Sequence, residues 1–94
     1  MILGFIGTGK ISYSVIVGIC NSKINFKKIL ISPRNKILAK KLVSKFKKVK
    51  IANDNQEIIN KSNWIFLAVT PNVGEKIIKD LKFKSNQTII SFIS

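Results

Sequence analysis

Residues 1–12 read MILGFIGTGKIS, an apolar run that breaks into glycines at positions 4, 7 and 9. The segment "ILGFIG" has the length and character of a buried strand ending in glycine. "KISYSVIVGICNS", from Lys10 to Ser22, follows at once and puts Ile11, Val15, Ile16 and Ile19 on one helical stripe. Glycines at a strand-to-helix junction imply that something approaches this backbone closely enough to exclude side chains. The helix start presents free N–H groups and a partial positive charge, which suits a pyrophosphate. Gly7 and Gly9 fill the first two positions of G-x-G-x-x-G, and Ser12 stands at the third. That third position serves close helix–strand packing and often accepts alanine, which serine exceeds by one atom. The motif has force only between a strand and a helix in a continuing βαβ chain.

The rest of the chain supplies that context. "KKILIS" (27–32) reads as a second buried strand, stopped by Pro33, which cannot donate to a ladder. "NKILAKKLVSKFKK" (35–48) reads as a helix capped by Asn35, with Leu38, Leu42, Val43 and Phe46 at helical spacing. "VKIA" (49–52) is a short third strand, and "DNQEIINKS" (54–62) a short helix capped by Asp54 or Asn55. "WIFLAV" (64–69) is a fourth strand closed by "TPN", with Trp64 packing at its start. "NVGEKIIKDLKF" (72–83) repeats helical spacing through Val73, Ile77, Ile78 and Leu81, and "TIISFI" (88–93) is the last strand. The order βαβαβαβαβ, with near-continuous apolar strands, predicts a doubly wound parallel α/β sheet of Rossmann-like type. No repeat, low-complexity linker or second domain interrupts it, so residues 1–94 read as one nucleotide-binding domain.

Composition bounds the function. The chain has 94 residues, 46% hydrophobic and 22% charged, which is globular rather than disordered. The one cysteine, Cys20, excludes an internal disulfide and, flanked by apolar residues, reads as core filling. No apolar run is long enough to span a bilayer, and no charged segment precedes the first strand, so a soluble cytoplasmic protein is expected. The formal charge is +13. Ile, Lys and Asn, all encoded by AT-rich codons, make up nearly half the chain, so base composition accounts for much of the lysine. The densest stretch, Lys40 to Lys50, keeps its apolar residues at helical spacing and its lysines in the gaps. It reads as a solvated helix face and turn, not as a specific nucleic-acid footprint. The charge still attracts anionic ligands. Asp54, Glu57, Glu75 and Asp80 are the only acids, and there is no histidine. Acid–base chemistry and metal ligation therefore have few candidates here.

The end of the second strand bears on the cofactor. An NAD site usually places an acid there to bind the ribose 2′-hydroxyl. Here the segment reads "ILISPRNK", without an acid. Ser32 offers a hydroxyl, Arg34 a guanidinium that can fork onto a phosphate, and Asn35 and Lys36 a donor and a charge. This set points to NADP(H) over NAD(H).

"GFIGTGKIS", "ISPRN", "DNQEII", "WIFLAVTPN" and "TIISFIS" occur in the order and spacing of pyrroline-5-carboxylate reductases. Nearly the whole chain resembles the N-terminal cofactor domain of that family. The resemblance implies cofactor contacts from the first loop at Ile6, Gly7, Thr8, Gly9, Lys10 and Ile11. It implies a 2′-phosphate site at Ser32 and Arg34, beside Asn35, and an adenosine contact at Asn55. The family's Ala-Val-Lys-Pro is matched by Ala68, Val69, Thr70 and Pro71, with a departure at Thr70, where a hydroxyl replaces an ammonium. Gly7–Ser12, Ser32–Asn35, Ala68–Pro71 and Ser91–Ser94 all fall at strand C-terminal ends and are expected to converge on one crevice. In the family the substrate lies between this domain and a helical dimerisation domain. The resemblance thus implies an NADP(H)-binding half of an oxidoreductase, incomplete for catalysis alone, with a helical partner domain or a second copy of the chain. A stand-alone nucleotide-binding module, or a domain of a related imine or deazaflavin-type NADP reductase, is the alternative.

Overall fold

The structure, a computed structural model, describes residues 1–7 and 9–92, and at Pro71 and Val73 the backbone alone. Strands and helices alternate: β1 (Ile2–Ile6), α1 (Lys10–Cys20), β2 (Lys28–Ile31), α2 (Lys36–Lys45), β3 (Val49–Ile51), α3 (Asn55–Lys61), β4 (Trp64–Leu67), α4 (Pro71–Asp80) and β5 (Thr88–Ser91). The strands form one parallel sheet in the order β3-β2-β1-β4-β5. The chain builds outward from β1 to β3, then returns to the other side of β1 for β4 and β5. The strand order therefore reverses between β1 and β4, the place where doubly wound sheets open a crevice. The Rossmann-like α/β expectation is met.

Alternation along each strand sorts the core onto two faces. Leu3 and Phe5 of β1, Ile29 and Ile31 of β2, Val49 of β3 and Phe66 of β4 meet Ile16 of α1 and Ala39 and Leu42 of α2 on one face. Ile6, Leu30, Ile65 and Leu67 meet Ile58 and Ile59 of α3 on the other, with Ile77 of α4 and Leu81 packed at its rim. Each such large apolar side chain, fully buried, stabilises the fold by about 1.5–3 kcal/mol. Phe5 and Phe66 stand opposite one another in register, and their rings stack 4.4 Å apart. Gly4 shares the face with α3, and a β-carbon there would run into the side chains of Ser62 and Ile58. Its absence lets α3 lie directly on β1.

Helix starts follow the sequence closely. Asn35 caps α2 by accepting from the Leu38 N–H at 3.3 Å. Asp54, rather than Asn55, caps α3, accepting from the Glu57 N–H at 2.8 Å. Glu57 reaches back to accept from the Asn53 N–H at 2.7 Å and pairs with Lys61 at 2.8 Å. The Lys61 hydrogen bond holds its carboxyl below the ordinary range.

Two side chains depart from expectation. Ile11 is 56% exposed, because the buried stripe of α1 runs through Ser12 and Ile16 instead. Trp64 is 39% exposed. It stands at the N-terminal rim of the sheet, beside Leu3 and Thr88 in register, away from the glycine loop. The Lys40–Lys50 stretch keeps Leu42 buried and its lysines exposed. Lys48 donates to the Phe26 carbonyl at 3.1 Å and lies 4.9 Å from that ring's centre. Cys20 packs half-buried against the core, and burial pushes its thiol pKa up against the opposing pull of Lys48. Among the described residues no helix is long and apolar enough to cross a membrane.

Candidate functional site

The ladder hydrogen bonds run one residue past β2, β4 and β5. The Ser32 N–H donates to Phe5 at 3.1 Å, the Ala68 N–H to Ile6 at 3.0 Å and the Phe92 N–H to Leu67 at 2.7 Å. These bonds fix the start of each following loop along one C-terminal edge. Gly7, Ser32, Ala68 and Phe92 consequently stand side by side. Thr8, Ile93 and Ser94, expected at this edge, lie outside the described residues, as do the side chains of Pro71 and Val73.

Gly7 and Gly9 answer to different demands. Gly7 has a φ of +94°, in the region that disfavours side chains, and a β-carbon there would strike the Ala68 carbonyl oxygen and come within 2.6 Å of Val69 Cγ1. The fold itself requires this glycine, because the loop after β1 lies against the loop after β4. Gly9 has φ −107° and ψ −168°, open to any residue, and outside its chain neighbours no described atom lies within 4 Å of where its β-carbon would be. Nothing in the fold demands glycine at that point. Between them, Ser12 is fully buried and its hydroxyl donates to the Gly7 carbonyl at 2.5 Å. The extra atom at the motif's third position is thus accommodated, and it ties α1 back to the loop.

The helix termini divide in the same way. α2 and α3 are capped by Asn35 and Asp54. α1 starts at Gly9 and α4 at Thr70, with no side-chain cap on either and no acid in either first turn. These two helices leave β1 and β4, the strands that flank the reversal of strand order. Among the described residues, neither cap residue makes a side-chain hydrogen bond to its helix's first turn, at the edge where an anion would bind. Lys10 and Ile11 lie exposed at the start of α1, and Thr70 is exposed at the start of α4.

A second cluster lies beside β2. Ser32 is buried, whereas Arg34 and Lys36 are exposed, and Asn35 spends its side-chain oxygen on the α2 cap. Arg34 and Asn55 share a cleft of about 540 Å³ with Asn72, Lys76, Ile77, Asp80 and Leu81. Asn55 is the first residue of α3, and its Oδ1 is buried with no hydrogen-bond partner among the described residues. The α4 wall is held over α3 by Gln56, whose amide donates to the Lys82 carbonyl at 3.2 Å and accepts from the Lys82 N–H at 3.3 Å. Of the residues expected at the site, Arg34 and, through the resemblance, Asn55 line this cleft, whereas Asn72, Lys76 and Asp80 were not named. The signal was present: with Ile77 and Leu81 turned inward on α4, their neighbours Lys76 and Asp80 flank the same groove.

Uncapped helix starts, open space at Gly9, an exposed guanidinium and an orphaned buried acceptor together fit a dinucleotide with several phosphates. Residues 2–94 match the model of the family described as NADP oxidoreductase, coenzyme F420-dependent. The chain belongs to that family. Its whole length is also similar to a crystal structure of 1-pyrroline-5-carboxylate reductase from Streptococcus pyogenes, with a TM-score of 0.80 and 28% sequence identity. The chain spans 34% of the length of that protein. No curated protein sequence matches it. Family and fold make residues 2–94 a nicotinamide-dinucleotide-binding oxidoreductase domain related to the N-terminal domain of pyrroline-5-carboxylate reductase.

Proposed function

We propose that this domain binds NADP(H) in preference to NAD(H) and presents it for reduction of a cyclic imine, 1-pyrroline-5-carboxylate, to proline. The observation that carries the reading is the pair of uncapped helix starts at the β1/β4 reversal, with open space over Gly9. The α1 N–H groups hold the pyrophosphate, and Gly9 leaves room for it to approach. Ser32 and Arg34 hold the 2′-phosphate, aided by Lys36 and the Asn35 amide, and Asn55 accepts a hydrogen bond from the adenosine side. Ile6 to Ile11, and Ala68 to Pro71, border the crevice, where the Thr70 hydroxyl is placed to donate. The bound cofactor supplies the hydride.

The domain's own share of the reaction is binding and orientation. It has no histidine and four acids, two of which, Asp54 and Glu57, are engaged at the start of α3. Holding the imine in near-attack geometry, worth up to ~7–11 kcal/mol of barrier, falls to a helical partner domain or a second copy. Residues 1–94 alone are expected to bind cofactor without turnover.

Calorimetry tests the cofactor preference. NADPH should bind at least about tenfold tighter than NADH, a difference of ~1.4 kcal/mol, and Arg34→Ala should narrow the gap. NADH binding equally well or better overturns the assignment. NADPH oxidation in the presence of the imine tests the division of labour. Turnover by residues 1–94 alone refutes it, and turnover only with a helical domain added in trans supports it.

A second reading is favoured by Thr70, which stands where the imine reductases carry lysine, and by the family's description. In that reading the hydride is exchanged with a deazaflavin. Titration of the NADP-loaded domain with a reduced deazaflavin separates the two, since only this reading expects oxidation of the deazaflavin.

A further inference from the structure

We propose that Lys76 is a second phosphate-binding cation, acting with Arg34 across the α4 cleft to select the 2′-phosphorylated cofactor. The proposal rests on the reading of the site as an NADP(H) site. The two residues reach one cleft from separate parts of the fold, Arg34 from the loop after β2 and Lys76 from the middle of α4. Neither forms an ion pair among the described residues, although Asp80 follows Lys76 by one helical turn and lines the same cleft. Both are exposed. Their charges are thus uncommitted and face a common space.

A phosphate monoester carries about −1.5 to −2 charges at neutral pH. A single exposed guanidinium balances about half of that. Lys76 supplies the balance as a point charge on a flexible stem, while the guanidinium fixes the geometry. The remaining lining fits the rest of such a ligand. Ile77 and Leu81 offer an apolar surface to a flat base, and the orphaned Asn55 Oδ1 awaits a donor. Asp80 disfavours a second phosphate nearby, so the cleft suits one phosphate beside a base.

The test is calorimetric titration of the 94-residue chain with NADPH and with NADH, comparing wild type with Lys76→Gln, Lys76→Arg, Arg34→Ala and Lys79→Gln. Lys79 is also on α4 and exposed, but does not line the cleft. Its neutralisation changes net charge equally without touching the site. Lys76→Gln should lose roughly fivefold in NADPH affinity, the scale of one exposed ion pair, and leave NADH binding within about twofold. Lys76→Arg should restore most of the loss, and Lys79→Gln should change neither cofactor. Unaltered circular dichroism is expected, since the side chain is exposed. If wild type discriminates and Arg34→Ala removes the discrimination while Lys76→Gln does not, Lys76 has no such role and the NADP(H) reading survives. Equal weakening of both cofactors by Lys76→Gln and Lys79→Gln would mean general attraction by net charge, and would overturn the proposal. A wild type that does not discriminate overturns the NADP(H) reading itself.

Discussion

Gly7 and Gly9 lie two residues apart in one loop, and the structure predicts opposite consequences for replacing them. At Gly7 an alanine must adopt φ +94°, which costs about 1–2 kcal/mol for a side-chain-bearing residue. Its β-carbon also meets the Ala68 carbonyl, backbone that directly follows β4, so relief requires moving the end of β4 or one of the two loops. Overpacking of this kind costs about 1–3 kcal/mol. The sum, about 2–5 kcal/mol, is a large part of the roughly 5–14 kcal/mol available to a domain of this size. Each kcal/mol lowers the melting point by about 4–8 °C at this length, so Gly7→Ala should melt about 8–40 °C lower. At Gly9→Val the β-carbon meets no described atom outside its chain neighbours within 4 Å, and the backbone stays ordinary extended. Losing glycine at the cap of α1 should cost no more than about 1 kcal/mol. Its isopropyl group would instead fill the space through which the pyrophosphate reaches the helix. NADPH and NADH affinity should both fall at least about 100-fold, or ~2.7 kcal/mol. Thermal denaturation by circular dichroism and calorimetric titration read the two effects separately. A Gly9→Val protein that binds NADPH as well as wild type, or that melts as low as Gly7→Ala, refutes the assignment of the two glycines.

The other consequences are smaller. Ser12→Ala removes the buried bond to the Gly7 carbonyl. It should destabilise the domain by about 1 kcal/mol in urea titration. Glu57 has its carboxyl pKa held below the ordinary 4.5, first by the Lys61 hydrogen bond and then by the Asn53 N–H. Its contribution is present above that ordinary value and is lost as pH falls through the lowered one, so wild type and Glu57→Gln should differ in stability at neutral pH and converge in acid. Any binding of DNA should lack sequence preference and fade near 150 mM salt, since it would rest on phosphate attraction alone. A sequence-selective gel shift at that salt would contradict this.

Much of the fold was legible because its signals are local. Pro33 ended β2, Asn35 announced α2, Asp54 or Asn55 announced α3, and the parallel sheet declared itself in apolar runs that both faces bury. The misread side chains depended on tertiary placement. Ile11 has the spacing of a core residue, but α1 meets the sheet through Ser12 and Ile16, one position further round the helix. Trp64 has the composition of a core strand, but the strand's first residue falls at the rim. At the site, Gly7, Ser32 and Arg34 could be placed at strand C-terminal ends from order alone, whereas Asn55, the first residue of α3, was named only through the family resemblance. The α4 wall could not, because it depends on the bonds from Gln56 to Lys82, which join elements 26 residues apart.

The capping pattern ties the fold to its chemistry. A side-chain cap stabilises a helix start by about 1 kcal/mol, and this chain uses Asn35 and Asp54 to that end on α2 and α3. Gly9 and Thr70, at the starts of α1 and α4 beside the reversal of strand order, make no side-chain cap bond, although threonine is a residue type that caps well. A β-carbon at position 9 meets no described atom outside its chain neighbours within 4 Å, so the fold does not exclude an Asp or Ser cap there at the β-carbon. The same carboxylate would, however, occupy the N–H groups and repel a phosphate. The glycine at the start of α1 is therefore the feature of the fold that best supports the dinucleotide we propose.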